Sequence, residues 1–268
     1  MTATPADHHA YAPVGVFDSG LGGLTVLRAL RAQLPHEDFL YFSDARHLPY
    51  GDKPEAFLRE RGLVVAEALL ARGCKALVIA CNTATAAAAE AIRAAVSVPV
   101  VALEPGVKPG VALSKTGVVG VLATTRTLES PRFQRLVVQH AEGVRIVPQA
   151  CPGLADAIEQ HGADSAEVMH LLDRYVAPLA GAGVDVVVLG CTHYPWVAAA
   201  IAERLPPGTV VQDTGEAVAR QAARVLAAAG LQGGQGRLLL ATSGAPARVA
   251  ETATRLWGEP LIVEHWEI

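Results

Sequence analysis

Ala76-Leu77-Val78-Ile79-Ala80-Cys81-Asn82-Thr83 carries an apolar run onto a cysteine followed by small polar residues, and Val186-Val187-Val188-Leu189-Gly190-Cys191-Thr192-His193 repeats the pattern later in the chain. Short, uninterrupted Val/Ile/Leu runs bounded by polar residues are what strands buried on both faces of a parallel sheet require. A second echo precedes each run: Val14-Gly15-Val16-Phe17-Asp18-Ser19 resembles Val119-Gly120-Val121-Leu122-Ala123-Thr124. The intervals from Val14 to Cys81 and from Val119 to Cys191 are similar, so the chain reads as two halves built alike.

Working outward, strands are predicted at 14–17, 39–42, 76–80, 98–102, 118–122, 144–147 and 184–189. Helical periodicity falls at 22–34, 55–72, 83–96, 129–140, 155–160, 166–180, 197–205 and 216–229. Strands separated by helices imply parallel crossovers, so the expected fold is α/β: two doubly wound, pseudo-symmetric domains with mainly parallel sheets. Glu104-Pro105-Gly106-Val107-Lys108-Pro109 is the expected crossing between halves, because two prolines and a glycine interrupt both periodicities. The expected divisions are a flexible tail at 1–13, a first domain at 14–107 completed by 217–268, and a second at 108–216. Each cysteine then lies just beyond the carboxyl end of a strand, where open parallel sheets hold ligands, and the site is expected at the domain interface.

Composition narrows the function. With 268 residues, 51% apolar and 18% charged, the chain has ample material for cores. A net charge of −4, with Lys53, Lys75, Lys108 and Lys115 as the only lysines, gives no nucleic-acid footprint and favours a small-molecule substrate. Residues 1–13 lack the cationic start and apolar core of a secretory signal, and no window is apolar enough for a membrane span. Four scattered cysteines do not make a disulfide framework, so free thiols in a reducing cytoplasm are expected.

One buried cysteine is ordinarily a small core hydrophobe, but two at equivalent repeat positions point to chemistry. Each is predicted at a strand end before a helix, where the helix N-terminus, and for Cys191 the nearby His193, favour thiolate; both should titrate nearer neutrality than Cys74 or Cys151. Racemisation at a carbon acid removes a proton from one face and returns one to the other, and a pseudo-twofold pair of thiols suits that task. One thiolate opposite one thiol is the expected resting state, since like charges raise each other's cost. Asp18 at the first strand end could assist one thiol and His193 the other.

Blander readings stand beside these. Asp18-Ser19-Gly20 is also a helix-capping turn, His193 also a satisfied structural histidine, and Pro49-Tyr50-Gly51 also a surface turn. The alternative for Tyr50 and Gly51 is a loop presenting backbone N–H groups and a phenol to a carboxylate. Asn82, Thr83 and Thr192 are caps or carboxylate donors. Gly20-Leu21-Gly22-Gly23, with Asp44 after the next strand, suggests a dinucleotide, but the spacing is not G-x-G-x-x-G. Cys191 and His193 lack a second close pair for zinc; Lys75 and Lys115 precede strands at the opposite end and Lys53 and Lys108, though on the right side, lie in irregular segments, so neither a metal nor a Schiff-base cofactor is expected.

These segments together resemble the glutamate racemases of the aspartate/glutamate racemase family. The resemblance rests on Val16-Phe17-Asp18-Ser19-Gly20 with Gly22-Gly23, on Asp44 through Pro49-Tyr50-Gly51, on Cys81-Asn82-Thr83-Ala84, and on Leu189-Gly190-Cys191-Thr192-His193-Tyr194-Pro195, with Thr242-Ser243-Gly244 also similar. It implies cofactor-free interconversion of L- and D-glutamate, supplying D-glutamate for peptidoglycan, by a cytoplasmic and commonly dimeric protein. It assigns Cys81 to the D enantiomer's proton and Cys191 to the L enantiomer's, with Asp18, His193 and Glu159 assisting; Glu159 otherwise reads as a solvated helix residue. Implied substrate contacts are Asp18, Ser19, Tyr50, Gly51, Asn82, Thr83, Thr192 and His193, with Thr124 and Thr127. Trp196 departs from the aliphatic residue more usual in the family. The rival readings are a racemase of another acidic amino acid such as aspartate, and a non-catalytic two-lobed amino-acid-binding protein.

Overall fold

A computed structural model describes residues 11–268; the tail expected at 1–13 lies outside the described residues up to Ala10. Two compact units divide the chain: residues up to Leu103 together with Gly215–Ile268, and Glu104–Thr214. The breaks fall ahead of those expected after Val107 and Glu216.

The first unit holds a six-stranded, wholly parallel sheet. Its strands are β1 (Val14–Asp18), β2 (Phe39–Ser43), β3 (Ala76–Ile79), β4 (Val100–Ala102), β9 (Leu238–Thr242) and β10 (Val263–His265), ordered β10-β9-β2-β1-β3-β4. The second holds β5 (Val118–Ala123), β6 (Arg145–Ala150), β7 (Val186–Gly190) and β8 (Val210–Gln212), ordered β6-β5-β7-β8. The four-strand order β2-β1-β3-β4 is therefore repeated. Its register repeats too: Val14 lies beside Ala76 and Val119 beside Val186, the pairing the sequence echo implies. In both sheets the chain leaves the central strand to one side and returns to the other, which makes β1/β3 and β5/β7 the topological switch points. The alternating strands and helices expected from sequence thus form two doubly wound parallel sheets.

β1, β2, β3 and β7 are buried along their whole length, which is why their sequences are apolar runs without alternation. One core gathers Phe17, Phe42, Leu58, Leu69 and Ile79 with the helix Asn82–Ala95; the other gathers Val107, Val119, Val121, Phe133 and Val188. Helices Glu55–Ala71 and Asn82–Ala95 pack so closely that a Cβ on Gly62 would come within 2.6 Å of Ala88 Cβ, so the contact needs glycine.

Three departures from the predicted elements have local causes. Val107–Leu113 is helical where a crossing segment was expected, because Pro109 sits in the first turn, where the missing N–H costs nothing. The helix predicted at 129–140 is two, Thr125–Glu129 and Pro131–His140, since Pro131 forces Ser130 into extended geometry and the Ser130 hydroxyl caps the second by accepting from Phe133 N. β6 continues through Pro148, which an edge strand tolerates because it pairs only with β5.

The last strand–helix–strand returns to the first sheet, β9 joining β2 in register from Phe39–Leu238 to Ser43–Thr242. Buried Glu37 and Asp38 anchor the Gly-rich approach: Glu37 accepts from Gly233 N and pairs with Lys75 Nζ at 2.5 Å, and Asp38 accepts from Gln235 N and Arg237 N.

Candidate functional site

At the β1/β3 switch point Asp18 ends β1 fully buried. Its Oδ1 accepts from Ser19 N at 2.7 Å and its Oδ2 from Gly23 N at 2.6 Å, so the carboxylate is fixed by backbone donors of the Gly-rich turn. A Cβ on Gly23 would lie 2.9 Å from Asp18 Cβ, 2.9 Å from Tyr41 Oη and 3.1 Å from Ala80 Cβ. These glycines let the turn close on Asp18.

Cys81 follows β3 and caps the helix Asn82–Ala95, its Sγ accepting from Ala84 N at 3.4 Å. The Ser19 hydroxyl is 3.7 Å from the same sulfur. Burial pushes the Cys81 thiol well up and the Asp18 carboxylate pushes it further, outweighing the Ala84 and Ser19 donors. The expectation that a helix N-terminus would bring Cys81 near neutrality is therefore corrected: a dry site beside an anion keeps the proton on sulfur. Asn82 and Thr83 are buried at the first turn of this helix, and Asn82 Oδ1 has no hydrogen-bond partner.

Tyr50 is also buried here, but its hydroxyl donates to Asp44 Oδ2 at 2.6 Å, so the phenol is committed within the protein. Burial resists its ionisation, as do Asp44 and Cys81. Gly51, half-buried beside it, lies in the short 3₁₀ turn Tyr50–Asp52.

At the β5/β7 switch point Cys191 directly follows β7, buried like Cys81. A turn and the 3₁₀ segment Tyr194–Val197 come next, so no long helix starts at this thiol, contrary to expectation. Instead Cys191 Sγ lies 3.7 Å from His193 Nδ1, and His193 Nε2 lies 2.6 Å from Glu159 Oε1 on the helix Leu154–His161. Burial lowers the imidazole's proton affinity, but Cys191 and Glu159 more than reverse this and hold His193 well above its ordinary range, as the imidazolium. Glu159 is thus engaged with His193 and is not a solvated helix residue.

Thr124 follows β5 and caps the helix Thr125–Glu129; its hydroxyl accepts from Thr127 N at 3.2 Å and lies 2.9 Å from Thr127 Oγ1. Thr192 is buried in the turn after Cys191, and Trp196 is half-buried. Cys74 and Cys151 are pushed up to about 12 chiefly by burial, which fits inert core thiols.

Sequence reasoning missed Arg61, which forms two hydrogen bonds to Asp44, and Tyr194, whose buried hydroxyl donates to Cys151 O. Arg61 sits in the run Arg59-Glu60-Arg61, which looks like a solvated helix face. Among the described residues, no helix is long and apolar enough to cross a membrane.

Residues 25–222 match the family model described as Asp/Glu/Hydantoin racemase. The chain is 52% identical over 219 residues to the glutamate racemase of Methylococcus capsulatus, covering 82% of this chain and 81% of that one. It is 46% identical over 255 residues to that of Stutzerimonas stutzeri, covering 94% and 97%. Among solved structures it superposes on glutamate racemase isoform RacE1 of Bacillus anthracis with TM-score 0.89 and 30% identity, covering 97% of this chain and 99% of that one. It superposes on the Escherichia coli glutamate racemase, solved with L-glutamate and the activator UDP-MurNAc-ala, with TM-score 0.84 and 30% identity, covering 95% and 97%.

Proposed function

Because this chain belongs to the Asp/Glu/Hydantoin racemase family, we propose that it is a glutamate racemase working without a cofactor, in which Cys81 and Cys191 act on opposite faces of one α-carbon. The carrying observation is the repeat. Each unit places one thiol at its switch point, in the same strand register, with its own acid–base partner: Asp18 for Cys81, and His193 backed by Glu159 for Cys191.

The partners differ, and the difference assigns work. Asp18 is an anion beside a protonated thiol, so it can accept the Cys81 proton when Cys81 is to act as base and return it afterwards. His193 is a cation beside Cys191, so it stabilises the thiolate that removes a proton and resupplies that proton when Cys191 acts as acid. In the L-to-D direction Cys191 takes the α-proton while Cys81 delivers one to the other face; the reverse reaction exchanges the roles. An incoming α-ammonium group offsets the negative charge around Asp18 and gives the unpartnered Asn82 Oδ1 a donor. Ser19, the Tyr50-Gly51 turn, Thr83, Thr124, Thr127 and Thr192 supply neutral donors for the two carboxylates. Neutral donors bind the anion without quenching the thiolates. The enzyme serves peptidoglycan synthesis in the cytoplasm as a homodimer.

The test is racemisation in deuterium oxide with no added cofactor. Product should carry solvent deuterium at Cα while unreacted substrate keeps its proton, and Cys81→Ser and Cys191→Ser should each lose nearly all turnover. Return of the original hydrogen would indicate a single base, and an unaffected variant would remove that thiol from the mechanism. Aspartate run in parallel should turn over far more slowly.

A further inference from the structure

The segment between β2 and the helix Glu55–Ala71 has little backbone pairing of its own: its two 3₁₀ turns are closed by His47 N to Asp44 O and Lys53 N to Tyr50 O. What fixes it is one carboxylate. Asp44, fully buried, accepts from Arg61 Nε at 2.8 Å, Arg61 Nη2 at 2.7 Å, Tyr50 Oη at 2.6 Å and Ser243 Oγ at 2.7 Å, with His47 Nδ1 at 3.1 Å from both oxygens. A carboxylate has about four lone-pair sites, so Asp44 is saturated. The Tyr50 ring belongs to the apolar cluster that contains Cys81, Leu58 and Ala84.

Arg61 reaches further. Its Nη1 donates to Ile268 O at 3.0 Å. The end of that segment is held by Trp266, whose N donates to Thr242 O at 2.9 Å and whose ring stacks on Phe42 at 5.7 Å beneath the Arg72 guanidinium at 3.7 Å. One guanidinium thus joins the 266–268 segment, the Asp44 carboxylate and, through it, the phenol beside Cys81. A planar fork serving three acceptors is a task lysine cannot copy.

We propose that Arg61 is a positioning residue for racemisation: through Asp44 it holds Tyr50 and the Gly51 turn against the Cys81 half of the site, and it couples that placement to Trp266–Ile268. The inference rests on the reading of Cys81 as an acid–base thiol. Nothing about Arg61 requires contact with substrate.

The groups facing Asp44 are Arg61, His47, Tyr50 and Ser243, with Cys81 beyond Tyr50. Burial alone would raise the Asp44 carboxyl, and the Arg61, Tyr50 and Ser243 hydrogen bonds instead hold it at about 2. Without the guanidinium burial is opposed only by Tyr50 and Ser243, so the Asp44 carboxyl holds a proton more readily, and a protonated Asp44 holds Tyr50 more weakly. In Arg61→Gln, kcat/KM for glutamate should fall roughly 10- to 100-fold, the scale on which a small misplacement of reacting groups acts. The loss should deepen as pH falls, adding to whatever acid limb the unaltered enzyme shows. Arg61→Lys should restore the acid side of the unaltered enzyme, by returning the charge, but not the full rate. Deleting Trp266–Ile268 should lower kcat/KM without adding to that limb.

A folded Arg61→Gln protein with unaltered kcat/KM and pH profile overturns the inference, as does a loss uniform across pH that Lys does not moderate. If Arg61→Gln does not fold, Ser243→Ala, which removes one donor to the same carboxylate, is read by the same profile; an unchanged acid side there overturns it too. Cys81→Ser separates the two levels. Activity surviving in Cys81→Ser sinks the thiol reading, whereas its loss beside an indifferent Arg61→Gln sinks only the role given to Arg61.

Discussion

Replacing Glu159 by Gln removes a charge with little change of shape. His193 is 2% exposed, and Glu159 lies 2.6 Å from its Nε2, so the pair is a charge-assisted hydrogen bond in a site with little water to screen it. Such bonds contribute about 1.5–3 kcal/mol; the middle of that range, about 2 kcal/mol, corresponds to roughly 30-fold in rate at about 1.36 kcal/mol per decade. With Glu159 neutralised, burial acts on the imidazole against Cys191 alone, so His193 holds its proton less firmly and Cys191 has a weaker cation beside it. We expect kcat/KM to fall roughly 30-fold above the ordinary histidine value of 6.5, and the deficit to narrow as the pH drops and the imidazolium returns.

Enantiomers are equally stable in water, so kcat/KM must fall by the same factor in both directions; only kcat and KM separately can show that Cys191 is the thiol affected. The assay is a polarimetric rate measurement from each enantiomer across pH. A variant with unaltered kcat/KM at every pH would refute the role given to the pair, and a deficit independent of pH would show that Glu159 acts through geometry alone. Stability carries the same sign. A histidine whose folded proton affinity is raised stabilises the fold fully below about 6.5, and that contribution is lost as pH rises through the folded value. The melting temperature of the unaltered protein should therefore fall on the alkaline side, and that of Glu159→Gln should fall less.

Two further predictions concern the first unit. Asp44 is held at about 2 against an ordinary 3.8, so it contributes about 2 kcal/mol of stability above pH 4 that disappears as pH falls toward 2; Asp44→Asn should unfold more easily near neutrality and show a flatter acid limb in urea titrations. Gly23→Ala places a Cβ 2.9 Å from both Asp18 Cβ and Tyr41 Oη, so it should destabilise by about 1–3 kcal/mol and lower turnover by displacing Asp18; a melting curve and rate matching the unaltered enzyme would contradict that account.

What could be read from the sequence was whatever repeats or alternates locally. The echo of Val14-Gly15-Val16 in Val119-Gly120-Val121 anticipates the shared register because a strand's partner follows from a pattern of a few residues. Contacts set by tertiary folding were not readable in that way. Glu159 meets His193 from a separate helix, and only resemblance pointed to it; Arg61 meets Asp44 across a loop whose composition suggests a surface turn. Proline misled twice, at Pro109 and Pro148, because its local meaning depends on whether the N–H it lacks would have had a partner. The upward shift of the Cys81 thiol was missed for a related reason: the helix N-terminus is visible in sequence, but the burial of the site and the proximity of Asp18 are not.

The unit containing Cys81 is built from two stretches of chain with the whole of Glu104–Thr214 intervening. During synthesis the inserted unit is complete first and can form its sheet, with Cys191, His193 and Glu159 in place, while β2 still shows the apolar edge Phe39–Ser43 that β9 will cover. Asp44 gains its last partner only when Ser243 has left the ribosome, and Arg61 its Ile268 acceptor later still. The nascent protein thus passes through an interval with the Cys191, His193 and Glu159 cluster assembled and an unpaired parallel edge exposed, and that edge is where aggregation during expression would start.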